Sequence, residues 1–380
     1  MLNVGVADRA ADLVDSLVEM LADPLADPFQ SEWVSVPSLG FRSWLRFELS
    51  QRLGQSTGAD GSADPTTSDR ALGGDGVAAN IEMPFPGSLR WRILRAYSAG
   101  QGRLGTSDPW EVDRLVWTVL EVMSDPETHI DDRLRRAKLP AGVTLASRAG
   151  PIADLFDRYG VHRPQMVNAW AGGHDVDADG HALPDDRRWQ PRLYRAVRDR
   201  LLVDHDVSPP AERLVAALEQ IRNGDLDLSA PLSPTEPGLP PRLAVVGQSI
   251  LTAELGPVLA AVAEHAEVCV MLLSPSARRS VELARHVVGS TVTASGPSSW
   301  ASRRNEHPET SESANHPLLQ GWGRRPLESA LLLGAGGVVP NIIGPASSTP
   351  VKQGRDTLLG RIQSDIRTGT TPTDLPPTPI

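Results

Sequence analysis

The chain has 380 residues, 40% of them apolar, with nine tryptophans, enough to bury a sizeable core in two or three domains. A lone cysteine, Cys269, excludes an internal disulfide and a thiolate zinc cluster, and no apolar run has the length needed to cross a bilayer. The formal net charge of −10 argues against a nucleic-acid partner at face value, but the distribution of charge outweighs its sum. Aspartates gather in loop-like stretches (residues 60–75 and 175–186). Arginines fall on helical segments: Arg42, Arg46 and Arg52; Arg90, Arg92 and Arg95; Arg133, Arg135 and Arg136; Arg192, Arg195, Arg198 and Arg200. Each such cluster reads either as a phosphate contact or as a solvated, ion-paired helix face. The first residues, Met1-Leu2-Asn3-Val4-Gly5, carry no secretion signal, so the expected location is cytoplasmic, with no membrane partner.

In chain order, Leu2–Val6 reads as a strand and Ala10–Leu21 as a helix, its apolar positions Leu13, Val14, Leu17, Val18 and Leu21 keeping helical period. Asp23-Pro24 and Asp27-Pro28 break the chain, Trp33–Val36 is a second strand, and Ser38 is an N-cap for a helix over Phe41–Leu53. This opening predicts a parallel α/β layer. Residues 55–76 are mostly Gly, Ser, Thr and Asp, with almost nothing apolar, and predict a disordered insertion; 77–86 is extended and stiffened by Pro84 and Pro86. Helices are expected at Leu89–Tyr97, Trp110–Met123, Asp131–Lys138, Arg148–Tyr159, Pro164–Trp170, Gln190–Val203 and Ala211–Ile221, and a Pro-rich linker at Pro231–Pro241. The α/β pattern then resumes: strand Leu243–Gly247, helix Glu254–His265, strand Val268–Leu273, helix Val281–Val288 and short helices at Leu327–Leu333 and Leu358–Ile366. The expected domains are 1–125, the first part of an α/β domain; 126–230, an inserted all-helical domain; 240–335, the second part of the α/β domain; and 345–380, a helix with an unstructured tail.

A strand–loop–helix start invites a search for a phosphate cradle. The P-loop needs glycines for backbone approach, a lysine for the β/γ-phosphates and a Ser/Thr for magnesium. Here the first strand runs into Val4-Gly5-Val6-Ala7-Asp8-Arg9-Ala10, and neither lysine of the chain, Lys138 or Lys352, follows a glycine. ATP hydrolysis by the P-loop route is therefore not expected.

Several segments, in order, resemble the N-terminal region of the gamma chain (RecC) family of exodeoxyribonuclease V. They are Met1-Leu2-x-Val4; Asp27-Pro28-Phe29; Val36-x-Ser38-x-Gly40-x-x-x-Trp44-Leu45 running to Gly54; Ala78-Ala79-Asn80-Ile81 with Pro84-Phe85-Pro86; and Ala153-Asp154-Leu155-Phe156-Asp157-x-Tyr159-x-Val161-x-Arg163-Pro164 with Trp170. Gly247-x-Ser249, Asn315-x-Pro317-Leu318-Leu319-x-x-Trp322-Gly323 and Gln363-Ser364-Asp365-Ile366 complete the set. The resemblance implies a helicase-like parallel-sheet domain lacking a P-loop, in a non-catalytic DNA-binding and scaffold subunit of a helicase–nuclease complex. It implies partnership with the beta and alpha chains, which bind ATP and Mg, leaving no cofactor in this chain. It also implies contact with single-stranded DNA and a duplex end, and scanning for a Chi-like sequence during double-strand break repair. Family chains run to roughly three times this length, so the sequence reads as a fragment, a truncated product or a short form.

Ser38, Leu39, Gly40 and Ser43 lie where the resemblance implies a strand-to-helix turn touching single-stranded DNA. A helix N-terminus with a hydroxyl and a glycine suits a phosphate, yet Ser38 serves equally as a plain cap, and Trp44 as core. Asp154, Leu155, Asp157, Arg158 and Arg163 match the stretch lining a strand channel. Carboxylates accept from cytosine N4 and arginine forks onto guanine, while an Asp–Arg surface ladder explains the same residues. Phe85 and Trp91 are either stacking platforms or packing residues. Pro37 and Leu39 are apolar where the family is commonly polar, which weakens the expectation of base readout there. Asp175-x-Asp177-x-Asp179-Gly180 with Asp186 mimics a calcium loop, but its last ligand is Asp rather than Glu, and an acidic surface loop is the better reading. The rival functions are an autonomous ATPase or nuclease, for which no Lys-bearing carboxylate cluster suggests itself, and a truncated non-functional fragment.

Overall fold

The apolar runs Leu2–Ala7, Arg242–Gln248 and Glu267–Leu273 read as strands buried on both faces, and they form the centre of the molecule. The computed structural model describes residues 1–27, 29–53, 77–103, 107–126, 128, 144–234, 236–252, 254–288, 318–319, 323–344 and 357–368. Within these, six strands, β1 (Leu2–Ala7), β2 (Glu32–Ser35), β3 (Ile81–Glu82), β4 (Arg242–Gln248), β5 (Glu267–Leu273) and β6 (Asn341–Ile342), make one sheet in the order β3-β2-β4-β5-β1-β6. Every pairing is parallel, with Val4 beside Val270, Leu243 beside Val268 and Trp33 beside Leu243.

Twelve helices are described: α1 (Ala10–Leu21), α2 (Leu39–Ser50), α3 (Pro86–Gly100), α4 (Val112–Ser124), α5 (Leu145–His162), α6 (Pro164–Ala171), α7 (Trp189–His205), α8 (Pro210–Asn223), α9 (Leu255–Val262), α10 (Ala277–Val288), α11 (Arg324–Ala335) and α12 (Leu358–Thr368). Strand side chains alternate between faces, so Val34, Ala244, Val246 and Met271 pack under α1 and α2. On the other face Val4, Val6, Val245, Val268 and Val270 pack under α3, α8, α9 and α10.

A third core is all-helical and built on aromatic edges. Phe156 meets Tyr194 edge-on at 5.4 Å, Tyr159 meets Trp170 at 5.6 Å, and the Trp170 indole donates to Val176 O at 2.7 Å. This core draws in Trp110, Leu115, Val119 and Met123, which precede residue 126, whereas Leu214, Leu218 and Ile221 of α8 pack with the sheet.

The predicted helices and strands over the described residues are present, with ends shifted by a few residues. α2 begins at Leu39 rather than Phe41 because Ser38 already caps it. β3 and β6, two residues each, are too short to leave an alternating signature. The Pro-rich stretch after α8 is tied down: Leu239 is buried and donates its N–H to Leu228 O at 2.8 Å. The expected insertion at 55–76, the helix at 131–138 and the tail beyond 368 lie outside the described residues. Among the described residues no helix is long and apolar enough to cross a membrane.

Candidate nucleic-acid interface

At the C-terminal edge of the sheet, β2 turns into α2 through Val36-Pro37-Ser38. Ser38 is fully extended (φ −157°, ψ 163°), and the Phe41 N–H donates to its Oγ at 3.2 Å. That bond uses the oxygen as acceptor and leaves the hydroxyl proton free to donate outward. Pro37, Ser38, Leu39, Gly40 and Ser43 are exposed; Ser43 Oγ donates back to Leu39 O at 3.1 Å. Trp44 is half-buried, packed on the sheet core beside Phe41. The Val36 N–H donates to Pro84 O at 2.9 Å, which brings Phe85 alongside α2 with its ring 5.5 Å from the Arg42 guanidinium. Ser38, Leu39, Gly40, Ser43 and Phe85 therefore form one open surface.

Phe85 is also the N-cap of α3, and Trp91 lies six residues on, about 9 Å along the axis. Trp91 is half-buried, with the Arg90 guanidinium over its ring at 5.0 Å, and it borders a cleft of about 330 Å³ shared with Tyr97, Arg95, Arg103 and Arg213. The cations in that cleft are engaged: Arg95 with Glu236 at 2.8 Å, Arg213 with Asp108 at 2.5 Å, and Arg103 with Asp206. Arg90 turns inward to Glu254 at 2.5 Å. Burial pushes the Glu254 carboxyl up to about 7 against the pull of Arg90.

The residues of α5 divide between two directions. Asp154 and Arg158 pair at 3.0 Å on the solvent side, the surface ladder. Asp157 is half-buried toward Arg90; burial raises its carboxyl, with Arg90 opposing and Asp154 adding to the rise. Leu155 is half-buried beside the core residue Phe156, and exposed Arg163 stacks on Tyr159 at 5.5 Å. Asp157 shares a small cavity with Arg90, whose guanidinium lies over Trp91, while Asp154, Arg158 and Arg163 face solvent on the helical side.

A family model described as RecC, N-terminal domain, matches residues 2–369. The chain belongs to the RecC N-terminal domain family. The RecBCD enzyme subunit RecC of Mycobacterium tuberculosis strain H37Rv is 30% identical over 382 residues, covering 96% of this chain and 29% of that protein. The same subunit of Mycolicibacterium smegmatis is 30% identical over 96% of this chain and 28% of its own length. That of Escherichia coli K12 is 28% identical over 260 residues, 65% of this chain and 19% of its own. The chain thus spans under a third of the length of these RecC relatives.

In this RecC-family chain the turn after β1 differs from the turn after β2. Arg9 precedes α1 with no side-chain cap, Asp8 pairs with Arg367 of α12 at 3.5 Å, and Ser276 Oγ donates to Arg367 O at 2.7 Å. Arg367, in the last turn of α12, thus reaches the segments that follow β1 and β5. The acidic loop is a tight hairpin with Val176 bridged to Ala182 and Gly180 at φ +79°. Asp175 is drawn away to Arg195 at 2.9 Å, and Asp177 Oδ1 accepts from the N–H groups of Asp179 and His181 at 2.9 Å each. Asp177, Asp179 and His181 have ligand atoms within 4.8 Å of one another, the geometry of a turn stabilised by its own side chain.

Sequence reasoning passed over Glu254 and gave Arg90 only as one of a cluster. A buried Arg–Glu pair leaves no periodic signal, and only an otherwise apolar surround, Leu251 to Val262, hinted that Glu254 needed a partner.

Proposed function

We propose that this chain is the DNA-handling, non-catalytic N-terminal part of a RecC-type subunit in an exodeoxyribonuclease V helicase–nuclease. It has a helicase-like sheet domain without a P-loop, interrupted by a helical domain. It channels single-stranded DNA and scans it for a Chi-like sequence during recombinational repair of double-strand breaks. The beta and alpha chains bind ATP and Mg and supply the motors and the nuclease. The observation that carries the reading is the alignment with RecC subunits over 96% of this chain. It is supported by the open surface at Ser38–Ser43 and Phe85, by the half-buried Trp91 further along α3, and by the solvent-facing Arg163, which offer hydroxyl, aromatic and guanidinium groups to a strand.

Co-expression with the beta chain tests it. The expected result is co-purification, no ATP turnover or DNA cleavage by this chain alone, and salt-dependent strand binding by the complex that weakens in Trp91→Ala and Arg163→Ala. Robust ATPase or nuclease activity without partners would overturn the reading in favour of an autonomous enzyme. Failure to associate would favour a non-functional fragment.

A further inference from the structure

In the helical core α4 and α7 pack against each other, and two contacts give the direction of that packing. The Trp110 indole, just before α4, donates to Val207 O, just after α7, at 3.0 Å. Further on, Glu121 of α4 pairs with Arg200 of α7 at 2.5 Å. The helices are therefore antiparallel, and Trp117 lies level with the turn of α7 that carries Val203. Both side chains sit on the outer surface that bears the Glu121–Arg200 pair, since Trp117 is one turn before Glu121 and Val203 one turn after Arg200. Trp117 is 70% exposed and Val203 83% exposed, while Leu115, Val119, Val197 and Leu201 of the same helices fill the core. A tryptophan in that place gives up most of the area it could bury, so folding alone does not account for it. The charge around the pair is one-sided. Asp113 and Asp204 have no cation within 4.0 Å among the described residues, whereas the flanking arginines are engaged: Arg114 with Glu111 at 3.5 Å, Arg198 with Glu212 at 2.7 Å, and Arg200 with Glu121 and Asp125.

We propose that the outer face of the α4–α7 pair is a docking site for a basic, apolar segment of another protein chain, with Trp117 and Val203 as its anchor and Asp113 and Asp204 as its charged rim. The chemistry selects that occupant. An exposed indole beside an aliphatic side chain matches the apolar centre of a protein interface, where tryptophan is over-represented. Carboxylates without a cation at its edge call for Lys or Arg opposite, and they repel the phosphates of a nucleic acid or of an anionic lipid surface. A second copy of this chain fits poorly, because its net charge is −10 and it has only two lysines. The face belongs to the helical core, whereas α2 and the turn before it belong to the sheet, so a protein and a strand can be held at once. The proposal rests on the subunit reading above, in which the other chain is a member of the same complex.

The test uses the full chain co-expressed with the beta and alpha chains, with benzoylphenylalanine in place of Val203. Irradiation is expected to cross-link that position to one of those chains, at a segment with Lys or Arg beside apolar residues. Trp117→Ala is expected to weaken binding of that chain by on the order of 30-fold, the size of an interface hot spot, and Trp117→Phe to restore most of it. Asp113→Lys/Asp204→Lys is expected to weaken it as well, by a factor that shrinks as salt is raised. Both anchors are exposed, so thermal unfolding of the variants should match the parent, and the rim variant carries the test where an anchor variant unfolds. A cross-link to a second copy of this chain, or to an acidic segment, overturns the proposal. So does binding at the parent's strength by Trp117→Ala, and assembly of that variant leaves the subunit reading in place. Loss of oligothymidylate binding in Trp117→Ala with assembly intact makes the indole a stacking platform and likewise overturns the docking site. If the parent assembles with neither chain, both readings fall.

Discussion

After β1 the chain passes through Asp8 and Arg9 into α1, and after β2 it passes through Pro37 and Ser38 into α2, both at the same edge of one parallel sheet. Each turn ends at a helix N-terminus with unsatisfied N–H groups and a positive dipole end. At α1 the chain answers with its own carboxylates: Asp8 outside the helix and Asp12 in the first turn, the latter buried and raised by that burial. Arg367 of α12 then pairs with Asp8. At α2 there is no acidic residue in the first turn, the cap is a neutral hydroxyl, and the neighbouring Arg42 and Arg46 add positive charge. The first turn is closed to an incoming anion and the second is open to one. The strand-to-helix connection is similar in both; the charge placed beside it decides what each can bind.

The contrast can be broken most severely from beneath α2. Gly247 of β4 has φ +77°, and a Cβ there would lie 2.3 Å from the Phe41 ring. Gly247→Val combines a forbidden backbone with a clash and is expected to destabilise by about 4 kcal/mol in urea denaturation. Gly40→Ala on the open side, with nothing within 4 Å, should be neutral or slightly stabilising. An equal loss in both would show that the α2 turn is not open.

The turn after β4, between the other two in sheet order, supplies the next largest effect. Glu254 titrates near 4.5 when unfolded and at about 7 in the fold. The folded state therefore binds the proton more tightly, and the group's contribution is fully present below about 4.5. It is lost as pH rises to about 7, a change on the order of 3 kcal/mol. Glu254→Gln should flatten the dependence of stability on pH in that window. An unchanged profile would remove Glu254 as its source.

Ser38→Ala should lower stability by about 1 kcal/mol, and Ser38→Gly by only a few tenths, by thermal unfolding. A larger loss in the glycine variant would place the hydroxyl in a role other than capping. At the closed turn, Arg367→Ala removes a partly exposed pair and should change stability by less than about 1 kcal/mol, shrinking further in high salt.

Much of the scaffold was legible because it rests on local period. α1 spans the residues its apolar spacing marks, and β4 and β5 show as unbroken apolar runs. Strand order was not legible, since β2 takes β4 as neighbour from 210 positions away. Within the candidate interface the cap at Ser38 followed from residue type and position. The approach of Phe85 did not, because it depends on the Val36–Pro84 hydrogen bond between segments nearly fifty residues apart. Asp157 is half-buried, unlike exposed Asp154 and Arg158, because it borders a small cavity lined also by Arg90 and Pro209 from distant parts of the chain. Arg52 differs from Arg42 and Arg46 only through Asp15 and Glu48, and the first of these lies on α1.

The position of β4 between β2 and β5 has a consequence for synthesis. β2 ends at Ser35 and its inner neighbour is complete only at Gln248. At 5–20 residues per second on the ribosome, the inner edge of β2 waits on the order of 10–40 s for its partner. Throughout that interval Trp33, Val34 and Val36, all buried in the finished protein, face the surrounding medium beside an unpaired backbone edge. The helical core, whose residues run from Trp110 to Ala211, can close before β4 emerges. A formed helical body beside a still open sheet is therefore accessible to the nascent chain before β4 is made.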